Sequence, residues 1–214
     1  MLKWILFPLV LIIAFSSVEA QDQFKSSTYL GISGGGNLCR VSFTPSVDQN
    51  PLATPSVGLV FRHVSEPHIG LQVEATYLGR GWIENLDTLG TYKRSIQSIH
   101  LPLYAVFIAG SKTVRFTFTL GPYLSRVIKE EETIAVTDSR YLKDYYGKSL
   151  SDKWEFGFTG GIGVELHTRA GAFGLRALYN HSLTNIFPLN EDEFYYNTSR
   201  SQVLHVGLTY FIKI

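Results

Sequence analysis

SQVLHVGLTYFIKI, residues 201–214, is the stretch that decides the fold. Leu204, Val206, Leu208, Tyr210, Ile212 and Ile214 fall on one face. His205, Gly207, Thr209 and Lys213 fall on the other, with Val203 and Phe211. Successive strand residues point to opposite sides, so this period of two predicts a strand with one apolar and one mixed face. Such a strand ending in water with its apolar face bare would invite aggregation. The pattern makes sense if the strand closes a barrel and its apolar face meets lipid.

Working back from that strand, the same alternation predicts strands at 28–37, 56–63, 68–82, 92–109, 113–127, 153–167, 172–183 and 201–213. All but 56–63 are at least about as long as the 9–11 residues a tilted membrane strand needs. An even number of strands is what single-chain bacterial barrels have. The connections are expected to alternate in length. Those around Ser65–Pro67, Gly110–Lys112 and Thr168–Gly171 are short. LCRVSFTPSVDQNPLATP (38–55), Ile83–Thr91, Ile128–Asp152 and Thr184–Arg200 are longer. Outer-membrane barrels place short turns on the periplasmic side and longer loops outside.

The two faces differ in charge. Val114, Phe116, Phe118 and Leu120 alternate with Arg115, Thr117, Thr119 and Gly121. Trp154, Phe156, Phe158, Ile162, Val164 and Leu166 share one face of their strand. The opposite face of the set collects Arg62, Glu74, Arg80, Arg115, Glu155, Glu165 and Arg176. An arginine at mid-membrane on the lipid side costs about 2–4 kcal/mol. Several would approach the whole stability of a domain, about 5–15 kcal/mol. These residues are therefore expected to face inward and pair, with the glycines between them leaving room. An eight-stranded barrel has an interior about wide enough for its own side chains, so the lumen is expected to be filled and to hold no open pore. The expected fold is all-β: an eight-stranded antiparallel up-and-down transmembrane β-barrel.

The N-terminus reads differently. Lys3 precedes the apolar run WILFPLVLIIAF (4–15), and Val18 and Ala20 stand where a signal peptidase reads. We expect residues 1–20 to be a cleaved signal peptide and 21–214 to form the barrel domain. Net charge is +1, so no nucleic-acid footprint exists. The sole cysteine, Cys39, cannot make an internal disulfide.

The stretches HLPLYAVF (100–107), FTLGPYLSRVI (118–128), FGFTGGIGVEL (156–166) and RALYNHSLTNI (176–186), followed by a strand at 203–212, carry a resemblance. In that order they resemble the outer-membrane β-barrel family of Bacteroidota, described as porin-like or PorT-like. The resemblance covers most of the mature chain and implies an eight-stranded outer-membrane barrel. One branch of that family serves a protein secretion system, and no motif places this chain in it. Where a glycine commonly precedes Leu-Thr-Asn, this chain has Ser182.

Candidate chemistry is sparse. Some eight-stranded barrels are lipid A deacylases with a His and a Ser at the outer end of a strand. Here His181 and Ser182 are adjacent and so point to opposite sides, which spoils a base–nucleophile pair. His63, His68, His100, His167, His181 and His205 have no metal-ligand spacing, and His100 and His205 are expected inside as hydrogen-bonders. Glu130-Glu131-Glu132 is expected in a solvated loop. Tyr141, Tyr145 and Tyr146 in that loop, with Tyr195 and Tyr196 in the last one, form a candidate contact surface at the outer rim.

The expected role is non-enzymatic: a membrane-embedded scaffold or surface-interaction protein. It would hold no cofactor or metal and touch outer-membrane lipid and a protein partner or surface component at its outer loops. The competing readings are a porin-like conduit for small solutes, a lipid-modifying enzyme, and a soluble lipocalin-type barrel with its faces reversed.

Overall fold

From Ser27 to Lys213 the strand-period segments form a single closed sheet. The computed structural model describes residues 24–86, 90–136, 146–147, 150, 153–187 and 198–214. Its eight strands are β1 (Ser27–Thr44), β2 (Gln49–Glu66), β3 (Ile69–Asn85), β4 (Gly90–Gly110), β5 (Val114–Val136), β6 (Trp154–Thr168), β7 (Gly171–Asn185) and β8 (Thr198–Lys213). Each pairs antiparallel with its neighbours in chain order, and β8 returns to β1. That closing ladder runs from Tyr29↔Lys213 to Thr44↔Thr198. Closure leaves no sheet edge, so every strand has a backbone partner on both sides.

Alternation places the side chains as period two requires. On β8, Leu204, Val206, Leu208 and Ile212 face out, while Val203, His205, Thr209 and Phe211 are buried inside. Ile162 and Leu208 are each 66% exposed on the outer wall, against 3% for the inward Glu165. The apolar side of the sheet is thus the outside, the reverse of a soluble lipocalin-type barrel.

Three connections are tight: 67–68, 111–113 and 169–170. Gly110 and Gly171 sit at two of these turns with φ of +119° and +140°. A Cβ on Gly171 would also lie 2.5 Å from the Phe211 carbonyl oxygen, so only glycine fits there.

At the opposite end the strands outrun the sequence expectation. The first connection is not the long loop expected over 38–55: β1 and β2 continue to a turn at Pro45–Asp48. The third shrinks to 86–89, and β5 extends to Val136, which takes Glu130-Glu131-Glu132 into a strand. The reason is an inversion of polarity along each strand. In β1, Leu38 faces out, but beyond it Arg40, Ser42 and Thr44 face out while Cys39, Val41 and Phe43 are buried inside. In β4, Lys93, Ser95 and Gln97 look outward while Tyr92 and Ile96 are buried. Above the membrane the outside meets water, so the apolar face turns inward. A second cause is a register shift in β5. Ser98 pairs with Val127 but Gln97 with Lys129, so Ile128 is an extra residue and the phase of alternation changes.

Prediction: in an SDS gel, unboiled full-length protein should migrate faster than boiled protein. Gly171→Val should lower the temperature at which the fast band disappears, and deletion of 203–214 should abolish that band.

Candidate functional site

The inward side chains form layers from the short-turn end to the long-loop end. In the first, Arg62 of β2 reaches across the lumen to β6, where its Nη1 donates to Glu165 Oε1 at 2.6 Å. Arg62 Nε donates to Gln72 Oε1 at 2.6 Å, and its guanidinium lies 4.3 Å from the Phe211 ring centre. His167 Nε2 stands 3.2 Å from the other Glu165 oxygen. Tyr29, Val60 and Ala172 pack around Phe211.

In the second layer, Arg176 of β7 clasps Glu74 of β3 through both terminal nitrogens, one of them at 2.8 Å. Gln72 links the layers, since its Nε2 donates to Glu74 Oε1 at 2.5 Å. In the third, Arg80 of β3 pairs with Glu155 of β6. Tyr123 donates to the same carboxylate at 2.9 Å, and His100 packs its ring 4.5 Å from that of Tyr123. Gly157 lies beneath Tyr123, where a Cβ would come within 2.6 Å of the ring. Beside this layer His205 Nδ1 lies 2.9 Å from Asn37 Oδ1 and 3.2 Å from Ser56 Oγ.

The last layer closes the long-loop end. Trp82, Tyr92, Val41, Phe43, Ile96, Ile186 and Phe187 form a buried cluster. Arg94 runs through it: its guanidinium lies 5.2 Å from the Phe187 ring and pairs with Glu130. Trp82 Nε1 donates to Glu84 Oε1 at 2.8 Å. From the loop after β5, Tyr146 stacks on Tyr92 at 3.9 Å and donates to Glu84 Oε2 at 3.1 Å. The backbone N–H of Gly147 donates to Glu132 at 2.9 Å. Burial, with Glu132 accepting its hydrogen bond, raises the Tyr92 hydroxyl above its usual range, so it stays a donor.

Between Arg62, Gln72, Glu165 and Arg176 the remaining gap is about 10 Å³, the threshold for one water. Two far larger hollows, of about 850 and 760 Å³, lie on the outer wall between ridges such as Phe107, Phe116 and Phe173. They are furrows of the lipid-facing surface, lined mainly by outward apolar side chains.

Six of the seven charged residues singled out in the sequence thus pair across the barrel: Arg62–Glu165, Arg80–Glu155 and Arg176–Glu74. Arg115 does not join them. It is half-exposed at the short-turn rim beside Glu165 and His167, with Arg62 already on that carboxylate. His100 is buried as expected but is no hydrogen-bonder, since neither ring nitrogen has a protein partner among the described residues. His181 faces outward and stacks on Tyr179, whereas Ser182 is buried and donates to the Thr184 carbonyl at 2.9 Å. Tyr146 is half-buried in the plug, while Tyr141, Tyr145, Tyr195 and Tyr196 lie outside the described residues. Sequence reasoning missed Trp82, Glu84, Arg94, Glu130 and Glu132. For the first three the signal was there, because Trp82 and Glu84 share the parity of Arg80, and Arg94 that of His100. The bulge at Ile128 hid the glutamates.

Residues 19–188 match the family described as outer membrane protein beta-barrel domain. Three solved structures are similar to this chain to differing degrees. The outer membrane protein OprG of Pseudomonas aeruginosa is 12% identical, with a TM-score of 0.51 over 90% of this chain and 99% of that one. Neisserial surface protein A is 12% identical, with a TM-score of 0.46 over 87% and 99%. Ail of Yersinia pestis, solved with the heparin analogue sucrose octasulfate, is 14% identical, with a TM-score of 0.44 over 86% and 99%. The likeness to OprG is one of fold. A search of curated proteins finds no match.

Prediction: Arg176→Met should lower the unfolding free energy by about 3–5 kcal/mol, because it strands a buried Glu74. Glu74→Leu in the same chain should recover most of that loss. Urea titration of the folded band in detergent reads both.

Proposed function

The chain belongs to the outer membrane protein beta-barrel domain family, and from that premise we propose a non-enzymatic barrel of the outer membrane whose role lies at its outer surface. The observation that carries this reading is the filled lumen. Three cross-lumen ion pairs and a buried aromatic cluster occupy the path a solute would take. Desolvated pairs of this kind are costly to break, which favours a structural role for them. A conduit would require Trp82, Tyr92 and Phe187 to leave together, along with the loop that Glu132 holds.

Enzymatic action on lipid finds no support in the separation of His181 and Ser182. What is left to work with is the long-loop end. There Tyr141, Tyr145, Tyr195 and Tyr196, with the outer edge of Tyr146, would supply a contact surface for a protein or a surface component. The quoted glycine- and aromatic-rich stretches support placing the chain with the Bacteroidota, porin-like branch of barrels. The short basic start and apolar run support export through a signal peptide cleaved after Ala20.

Prediction: purified protein in a planar bilayer should give no steady open channels, and N-terminal sequencing of protein from the outer-membrane fraction should begin at Gln21. Sustained conductance by the wild type would replace this reading with the porin-like one.

A further inference from the structure

On β7, β8 and β1 the edge of the apolar band is sharp enough to read row by row. Tyr179, Leu204 and Leu38 form one outward row. The next row toward the long-loop end is His181, Gln202 and Arg40. In the row above, Arg200 stands opposite Ser42. Arg40 and Arg200 are therefore diagonal neighbours on paired strands, about 7–8 Å apart at the backbone. Arg40 Nε donates to Gln202 Oε1 at 2.8 Å, which fixes its guanidinium over the boundary. Arg200 Nε is buried without a hydrogen-bond partner.

These two cations differ from their counterparts on β5. There Lys129 pairs with Glu131, and Arg126 lies 5.3 Å over the Trp154 ring. Among the described residues the outward positions of β7, β8 and β1 carry no side-chain carboxylate, so on these strands the charge of Arg40 and Arg200 has no acidic partner.

Directly beneath Arg40 the outer wall is hollow. A groove of about 520 Å³ runs between Gly36, Leu38, Ala53, Pro55, Leu204 and Val206. Its floor is open at Gly36, where a Cβ would meet nothing within 4 Å. A guanidinium pair above an apolar furrow, at the level where hydrocarbon gives way to headgroups, is complementary to one kind of molecule.

We propose that Arg40 and Arg200 bind the phosphate of an outer-leaflet lipid whose acyl chain lies in the groove along Gly36. Guanidinium nitrogens match phosphate oxygens in bidentate geometry. Gln202 holds Arg40 in place, and the groove admits a chain that a larger residue at position 36 would exclude. The site rests on the outer-membrane location alone and is independent of what the loops contact.

The test uses the full chain in detergent, with lipid retention read by native mass spectrometry. The probes are diphosphoryl lipid A, the same lipid without its phosphates, and inorganic phosphate. Diphosphoryl lipid A should be retained. Arg40→Gln with Arg200→Gln should weaken that retention about thirtyfold, as expected for two cations at an anionic headgroup. Arg126→Gln should leave it near the wild-type level. Gly36→Leu should also reduce retention, through the groove and not the charge. The heat-shift gel should show both the double variant and Gly36→Leu folded. The proposal is overturned if the double variant binds like wild type, or if Arg126→Gln loses as much. Equal retention of the dephosphorylated lipid would remove the phosphate, and inorganic phosphate displacing the lipid at equal concentration would remove the acyl groove.

Discussion

Hydrocarbon solvates neither a peptide group nor a charge, and the rest of the structure follows from that. Inside a bilayer an unpaired N–H or C=O costs several kcal/mol, so the sheet must close, and β8 pairs with β1. The same medium rejects arginine on the outer wall, so Arg62, Arg80 and Arg176 turn inward. Once inside, they face strands brought near by closure and not by sequence. Arg62 and Glu165 are 103 positions apart, and Arg176 and Glu74 102. The pairs are therefore a consequence of the ring, and they also fill it.

The same constraint, removed, shapes the long-loop end. Beyond Leu38, Ile99 and Leu204 the outer wall meets water and headgroups, and the alternation inverts. Polar residues such as Arg40 and Lys93 face out, while Val41, Tyr92 and Ile96 build a core of the kind a soluble protein has. One chain thus carries two kinds of interior: a charged one at membrane depth and an aromatic one above it. The passage from one to the other marks the membrane boundary more sharply than any single aromatic residue does.

The aromatic interior changes what the barrel can do. Glu84, Glu130 and Glu132 take hydrogen bonds from Tyr146, Leu150 and Gly147, so these three residues after β5 are tied to the mouth. Tyr146, Gly147 and Leu150 are thereby held against a packed aromatic cluster. This leaves the outer wall as a place of unmet chemistry among the described residues, in two arginines above a groove with no side-chain carboxylate on their strands.

Much of this was legible in the sequence. Period two located all eight strands, and the position of arginines and glutamates relative to Phe and Leu told inside from outside, because the cost of charge in lipid depends on the face alone. The parity of His181 and Ser182 was enough to separate them. What the sequence did not give was strand length beyond the membrane. Val41 and Phe43 read as loop because apolar residues inside and polar residues outside reverse the pattern established by residues 28–37. Nor did it give the phase after Ile128, since one bulged residue moves Glu130 from the apparent loop to the lumen. Partner choice was out of reach as well. Arg115 has the right parity and no ion pair among the described residues, while Arg94, which the charge count overlooked, has one. The alternation of the chain determined the barrel and the face of each residue at membrane depth, because lipid acts on one residue at a time. The height of each residue, its partner across the lumen and the plug at the mouth were decided by closure, because they depend on which distant strands the ring brings face to face.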